Sequence, residues 1–129
     1  MTLRDEIVQC AEEAAAIAGQ RPALFHGTGD ALDLLRTNKL RNNERPRLFT
    51  CSSRMAAAHA FLDRDYGTPA VLVFDRDSLE RQARCAPSLA RHPERGRIAV
   101  LECLLGRTLV NVDRHLLGVA YLQQIKETS

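Results

Sequence analysis

The sequence predicts an α+β fold with antiparallel or mixed sheets, on three observations. Apolar residues recur at helical spacing in the N-terminal segment and again over Arg54 to Asp63. Pro69 to Phe74 (PAVLVF) is apolar enough to be a strand buried on both faces, and Arg97 to Leu105 (RIAVLECLL) reads as another buried strand. The strand-like runs crowd toward the C-terminal half and do not alternate regularly with helices, which disfavours a parallel βαβ sheet.

Taken in order, Thr2 to Ala18 reads as an amphipathic helix. Thr2, Asp5 and Glu6 give it a cap and an acidic first turn. Ile7, Val8, Ala11, Ala14, Ala15 and Ala18 form its stripe, and Gly19 ends it. Leu24 to His26 is a first strand and His26-Gly27-Thr28-Gly29 a sharp break. Asp30 caps a helix to Thr37 with Ala31, Leu32, Leu34 and Leu35 inward. Asn38 to Pro46 is a polar loop of the kind that covers a site or simply connects elements. Arg47 to Ser52 is a second strand, and Ser52 or Ser53 caps the helix that follows. Asp63 to Gly67 is a turn. Asp77 or Ser78 starts a short helix through Arg84. Cys85 to Gly96, with Pro87, Pro93 and Gly96, reads as a long loop. Thr108 to Val112 and Leu116 to Leu122 are two further β-like runs.

At 129 residues the chain is expected to form one domain, with an N-terminal helix over 1–20 and a core over 22–125. Apolar residues make up 45% and charged residues 26%, the balance of an ordinary globular protein. No run has spanning length and no signal peptide is evident, so the expected location is the cytoplasm and no membrane partner is expected. Cys10, Cys51, Cys85 and Cys103 are widely spaced without a C-x-x-C pair, which argues against a zinc site or a disulfide framework. The net charge of +2 makes no strong case for nucleic acid. All basic residues except Lys39 and Lys126 are arginines, whose planar forks suit phosphates. Arg41, Arg45, Arg47 and Arg54 are the candidates for holding a pyrophosphate.

The stretch richest in chemistry is Pro22 to Leu35. It sets a histidine at a strand end beside two glycines through which a ligand could reach the backbone. Glu102 stands out in the same way, because a carboxylate inside a strongly apolar strand is costly unless it is paired or placed at a site.

Three landmarks together resemble the ADP-ribosyltransferase fold, in its poly(ADP-ribose) polymerase and diphtheria-toxin branch. Leu24-Phe25-His26-Gly27-Thr28, a helix, then Asn38-Lys39-Leu40 looks like the family's opening motif. Leu48-Phe49-Thr50-Cys51-Ser52-Ser53 followed by Ala56-Ala57-Ala58-His59-Ala60-Phe61 is similar to its second strand and helix. RIAVLECLL resembles its glutamate-bearing strand, and PAVLVF its central strand. The resemblance spans residues 22 to 122. It implies split mixed or antiparallel sheets, flanking helices and NAD as substrate.

By that resemblance His26 holds the nicotinamide-side ribose, the Gly27 backbone pairs with the nicotinamide amide, and Thr28 lies near the adenosine end. The second motif supplies the stacking platform; its usual tyrosine is absent, which leaves Leu48, Phe49 and Thr50, with Ser52 alongside. The glutamate, Glu102 or Glu94, binds the ribose and stabilises the oxocarbenium-like state as nicotinamide leaves. A carboxylate suits that developing positive charge where water is excluded. The acceptor is a protein or a nucleic acid, the setting a bacterial or phage toxin or effector, and an antitoxin or regulatory partner fits that setting. Two other readings use the same fold: a module that binds NAD or ADP-ribose without turnover, and an RNA 2′-phosphotransferase drawing on His59, His92 or His115. A hydrolase built on Cys51 or Ser52 with His26 lacks a nucleophile elbow or an activating neighbour for the thiol.

Overall fold

In a computed structural model, residues 3–40, 47–81, 84–92, 96–105 and 109–122 are described, those of 84–105 by backbone course and register alone. The architecture is α+β. Helix α1 (Leu3–Ala18) leads into strand β1 (Ala23–Thr28), α2 (Ala31–Thr37) and β2 (Lys39–Leu40). Next come β3 (Arg47–Thr50), α3 (Ser53–Leu62), a 3-10 turn (Arg64–Tyr66), β4 (Ala70–Asp75) and α4 (Arg76–Glu80). The described chain closes with β5 (Arg84–His92), β6 (Gly96–Leu105), β7 (Leu109–Val110), a second 3-10 turn (Val112–Arg114) and β8 (Leu116–Tyr121).

Six strands form one sheet in the order β5-β6-β3-β1-β4-β8, and β2 pairs with β7 in a separate two-stranded sheet. Every strand pairing is antiparallel. The ladder between β1 and β4 runs from Ala23↔Asp75 to Thr28↔Ala70, whereas β1 and β3 share one register pair, Phe25↔Thr50. The sheet is thus tightly zipped on one side of β1 and barely joined on the other.

Both faces of the sheet are covered. Ile7, Cys10, Ala11, Ala14 and Ala18 of α1 and Ala56, Ala57 and Ala58 of α3 pack against Phe25, Val71 and Val73. Within the α1 stripe, Ala15 is exposed and Val8 half-buried, while Cys10 and Glu6 turn inward. On the opposite face Leu24, Phe49, Leu72 and Phe74 pack with Leu34, Leu40, Leu79, Leu109 and Val112. β4, apolar and buried from Ala70 to Phe74, is the common floor of both layers.

Several boundaries differ from the sequence expectation for identifiable reasons. Residues 84–92 form a strand, not a loop; β5 lies at the sheet edge, where a proline such as Pro87 is tolerated. β1 runs on through His26 and Gly27 to Thr28 instead of breaking at the glycine. The short helix starts earlier, since Asp75 caps it by accepting from the Asp77 and Ser78 amides at 3.0 and 3.4 Å. Ser52 is the cap of α3, its hydroxyl accepting from Met55 N at 3.1 Å. Lys39 and Leu40 leave the expected loop to pair with β7, and the run expected over 108–112 is strand only at Leu109–Val110.

Candidate functional site

The site begins with the alternation of β1. Leu24 belongs to the face of large side chains and Phe25 to the helix-covered face. Alternation returns His26 to the face of Leu24 and points the Cα of Gly27 at α3. His26 is 7% exposed. Its ring lies 5.4 Å from that of Phe49, tilted by 42°, and Phe49 in turn meets Phe74 edge-on at 5.2 Å. The imidazole therefore rests on a chain of aromatic rings and has one side toward a cleft of about 490 Å³.

Thr28, Gly29 and Asp30 continue the floor of that cleft. The two glycines serve the chain's own packing, not the approach of a ligand as the sequence suggested. A Cβ on Gly27 would lie 2.0 Å from the Ala56 carbonyl oxygen, and one on Gly29 would lie 1.9 Å from that of Asp63. The close approach at Gly29 is what carries Asp63, and with it Tyr66, to the cleft's second wall.

Asp30 occupies the cap position of α2 but makes no side-chain capping bond. Thr68 does that work. Its carbonyl accepts from Ala31 N at 3.0 Å and its hydroxyl from Leu32 N at 3.1 Å. The Asp30 amide donates to the Thr28 hydroxyl at 3.2 Å. Asp30 is thus free of a capping role and lines the cleft. The third wall is α2 and β2, through Asp33, Leu34, Thr37, Lys39 and Leu40. Asp33 is paired with Arg36 at 2.7 Å on the exposed side of the helix. With Asp30, Asp33 and Asp63 against Lys39, carboxylates outnumber ammonium groups on the lining, which favours a ligand end that is cationic or becomes so.

His26 and Thr28 both line the cleft as the sequence suggested. Phe49 does not: it is fully buried among Leu24, Leu72 and Phe74, so it braces the histidine and offers no face for stacking. Thr50 and Ser52 are occupied by the start of α3. The Thr50 hydroxyl accepts from Ser52 N at 3.1 Å and lies 4.0 Å from Met55 Sδ. Glu102 sits in register with Thr50, which itself pairs with Phe25, so β6, β3 and β1 bring the three motif strands side by side. Phe25 and Thr50 face α3. A carboxylate from β6 that served His26 would have to work across the β1–β3 seam, where the ladder is one pair long. Glu94, Arg41 and Arg45 lie outside the described residues, as does the side chain of Arg47. Arg54 is half-buried on α3 and does not line the cleft.

Sequence reading missed Tyr66, which is 73% exposed at the rim. The available signal was an aromatic in a turn of charged residues just before Gly67, in a chain with two tyrosines. Among the described residues no group of three His, Cys, Asp or Glu is placed to hold a metal ion, and no helix is long and apolar enough to cross a membrane. Comparison of the chain with protein-family models, with curated proteins and with solved structures finds no match in any of the three.

Proposed function

We propose that the chain is an NAD-dependent ADP-ribosyltransferase that breaks the nicotinamide–ribose bond at the His26 cleft and passes ADP-ribose to a protein or nucleic-acid acceptor. The observation that carries this reading is the convergence of the three motif strands. β1 with His26, β3 with Thr50 and β6 with Glu102 are far apart in sequence and consecutive in the sheet, and His26 stands at the floor of a cleft. In this reading His26 bonds the ribose hydroxyls, and Tyr66 supplies the planar face that β3 lacks. The acidic lining favours the positive charge that builds on the ribose as nicotinamide departs. In this reading a glutamate, Glu102 on β6 or Glu94, stabilises that charge.

Nicotinamide release from NAD by the purified protein tests this directly. His26→Ala and one of Glu102→Gln or Glu94→Gln are expected to lower the rate by about 100-fold or more, the scale seen when one transition-state contact is lost. Unchanged turnover in all three variants sinks the assignment. A second reading, a module that binds NAD or ADP-ribose without cleaving it, is favoured by the burial of Phe49, which leaves the second motif without a stacking ring. It predicts a rise in melting temperature with NAD and no nicotinamide.

A further inference from the structure

The Thr37–Leu40 wall of the cleft is held in place from outside it. Asn38, between the lining residues Thr37 and Lys39, adopts a left-handed conformation with φ 56° at the end of α2. Its side chain forms a reciprocal pair with Asp113. The Asn38 Nδ2 donates to Asp113 Oδ1 at 2.7 Å, and its Oδ1 accepts from Asp113 N at 2.9 Å. The Asn38 carbonyl accepts from Val112 N at 3.2 Å. The turn that carries Asp113 is anchored in its own right. The His115 carbonyl accepts from Asp75 N at 2.8 Å, and the His115 ring Nδ1 is hydrogen-bonded to the Ser78 hydroxyl.

We propose that Asn38 and Asp113 are positioning residues. They touch no ligand, since neither lines the cleft, and they fix the wall bearing Thr37, Lys39 and Leu40 against the body of the protein. Two features make this a local device. The β2–β7 ladder holds two residue pairs, too few to stand alone, and it is separate from the six-stranded sheet. Its Leu40 and Leu109 also pack against the large side chains of the six-stranded sheet, so opening it loosens the wall while the six residue pairs of β1 and β4 stay zipped. The proposal rests on the reading of the cleft as the ligand site.

The test exchanges the partners. Asn38→Asp sets two carboxylates against each other, and Asn38→Asp with Asp113→Asn restores an amide facing a carboxylate. Amide hydrogen exchange is followed in the β2–β7 ladder and in β1 and β4, together with KM and kcat for nicotinamide release. In Asn38→Asp the ladder amides are expected to exchange roughly tenfold faster while β1 and β4 are unchanged. KM is expected to rise about tenfold with kcat within about twofold, the signature of lost binding that is uniform along the reaction. The double variant returns both toward wild type. Unchanged exchange in the ladder, equal acceleration in β1 and β4, or a KM that does not follow the exchange overturns the proposal. A wild type that releases no nicotinamide counts against the transferase reading. The exchange pattern then decides by itself whether the wall is held by this pair.

Discussion

The two faces of the sheet are built by opposite rules. Against α1 and α3 alanines do much of the packing: Ala11, Ala14 and Ala18 of α1 and Ala56, Ala57 and Ala58 of α3 sit among Ile7, Phe25, Val71 and Val73, and α3 brings its backbone down onto Gly27. On the cleft face the contacts are large side chains, with Leu24, Phe49, Leu72, Phe74 and Leu79 all fully buried. The first face is fixed by how closely backbones approach, so it cannot accept an added atom. The second is fixed by volume, so it cannot lose one. The candidate site lies on the face governed by volume and is bordered at Gly29 by the face governed by approach.

The largest expected effect is on the cleft face. Phe49→Ala removes the ring between His26 and Phe74 and is expected to cost about 3–5 kcal/mol, read as a lower urea midpoint with unchanged m. A cost below about 1 kcal/mol would mean that the aromatic chain does not support the histidine. Gly27→Ala comes next. Its methyl meets the Ala56 carbonyl oxygen, a backbone atom that cannot swing aside, so a loss of about 3 kcal/mol is expected. A stable Gly27→Ala variant that fails to bind NAD would reverse the comparison and restore the ligand-approach reading of that glycine.

The smallest effect separates the thiols. Burial, with the Glu13 charge adding to it, pushes the Cys10 thiol up from 9.0 to about 12. The native state holds that proton more tightly than the unfolded chain. The stabilisation is therefore complete below about pH 9 and is lost as pH rises toward about 12. Cys10→Ala is expected to flatten the alkaline fall in urea midpoint over that window. At pH 8 an alkylating reagent is expected to label the exposed Cys51 and to spare Cys10 until the protein unfolds.

What was legible in the sequence follows the same division. The apolar run of β4 and the stripe of α1 announce themselves because burial dictates residue type directly. The histidine within β1 was legible because a polar residue between Phe25 and Gly27 breaks an apolar run. β5 was hidden because Pro87 describes a loop as well as it describes an edge strand. The capping role of Thr68, the burial of Phe49 and the rim position of Tyr66 were not readable. Each depends on which strands become neighbours, and no local propensity records that. The glycines were noticed for the right backbone reason, close approach, and assigned to the wrong neighbour.

The sheet order has a consequence for how the protein comes into being. β1 finds its two neighbours across the whole of α2 and, for β4, across α3 as well, and the register pair Thr50↔Glu102 closes a loop as long as the longest of these. Such non-local pairings form slowly, because chain entropy must be lost before the contacts return anything. No fragment that stops short of β6 contains the meeting of β1, β3 and β6. A ribosome has to deliver β6 before the strand carrying His26 has both of its motif partners in line.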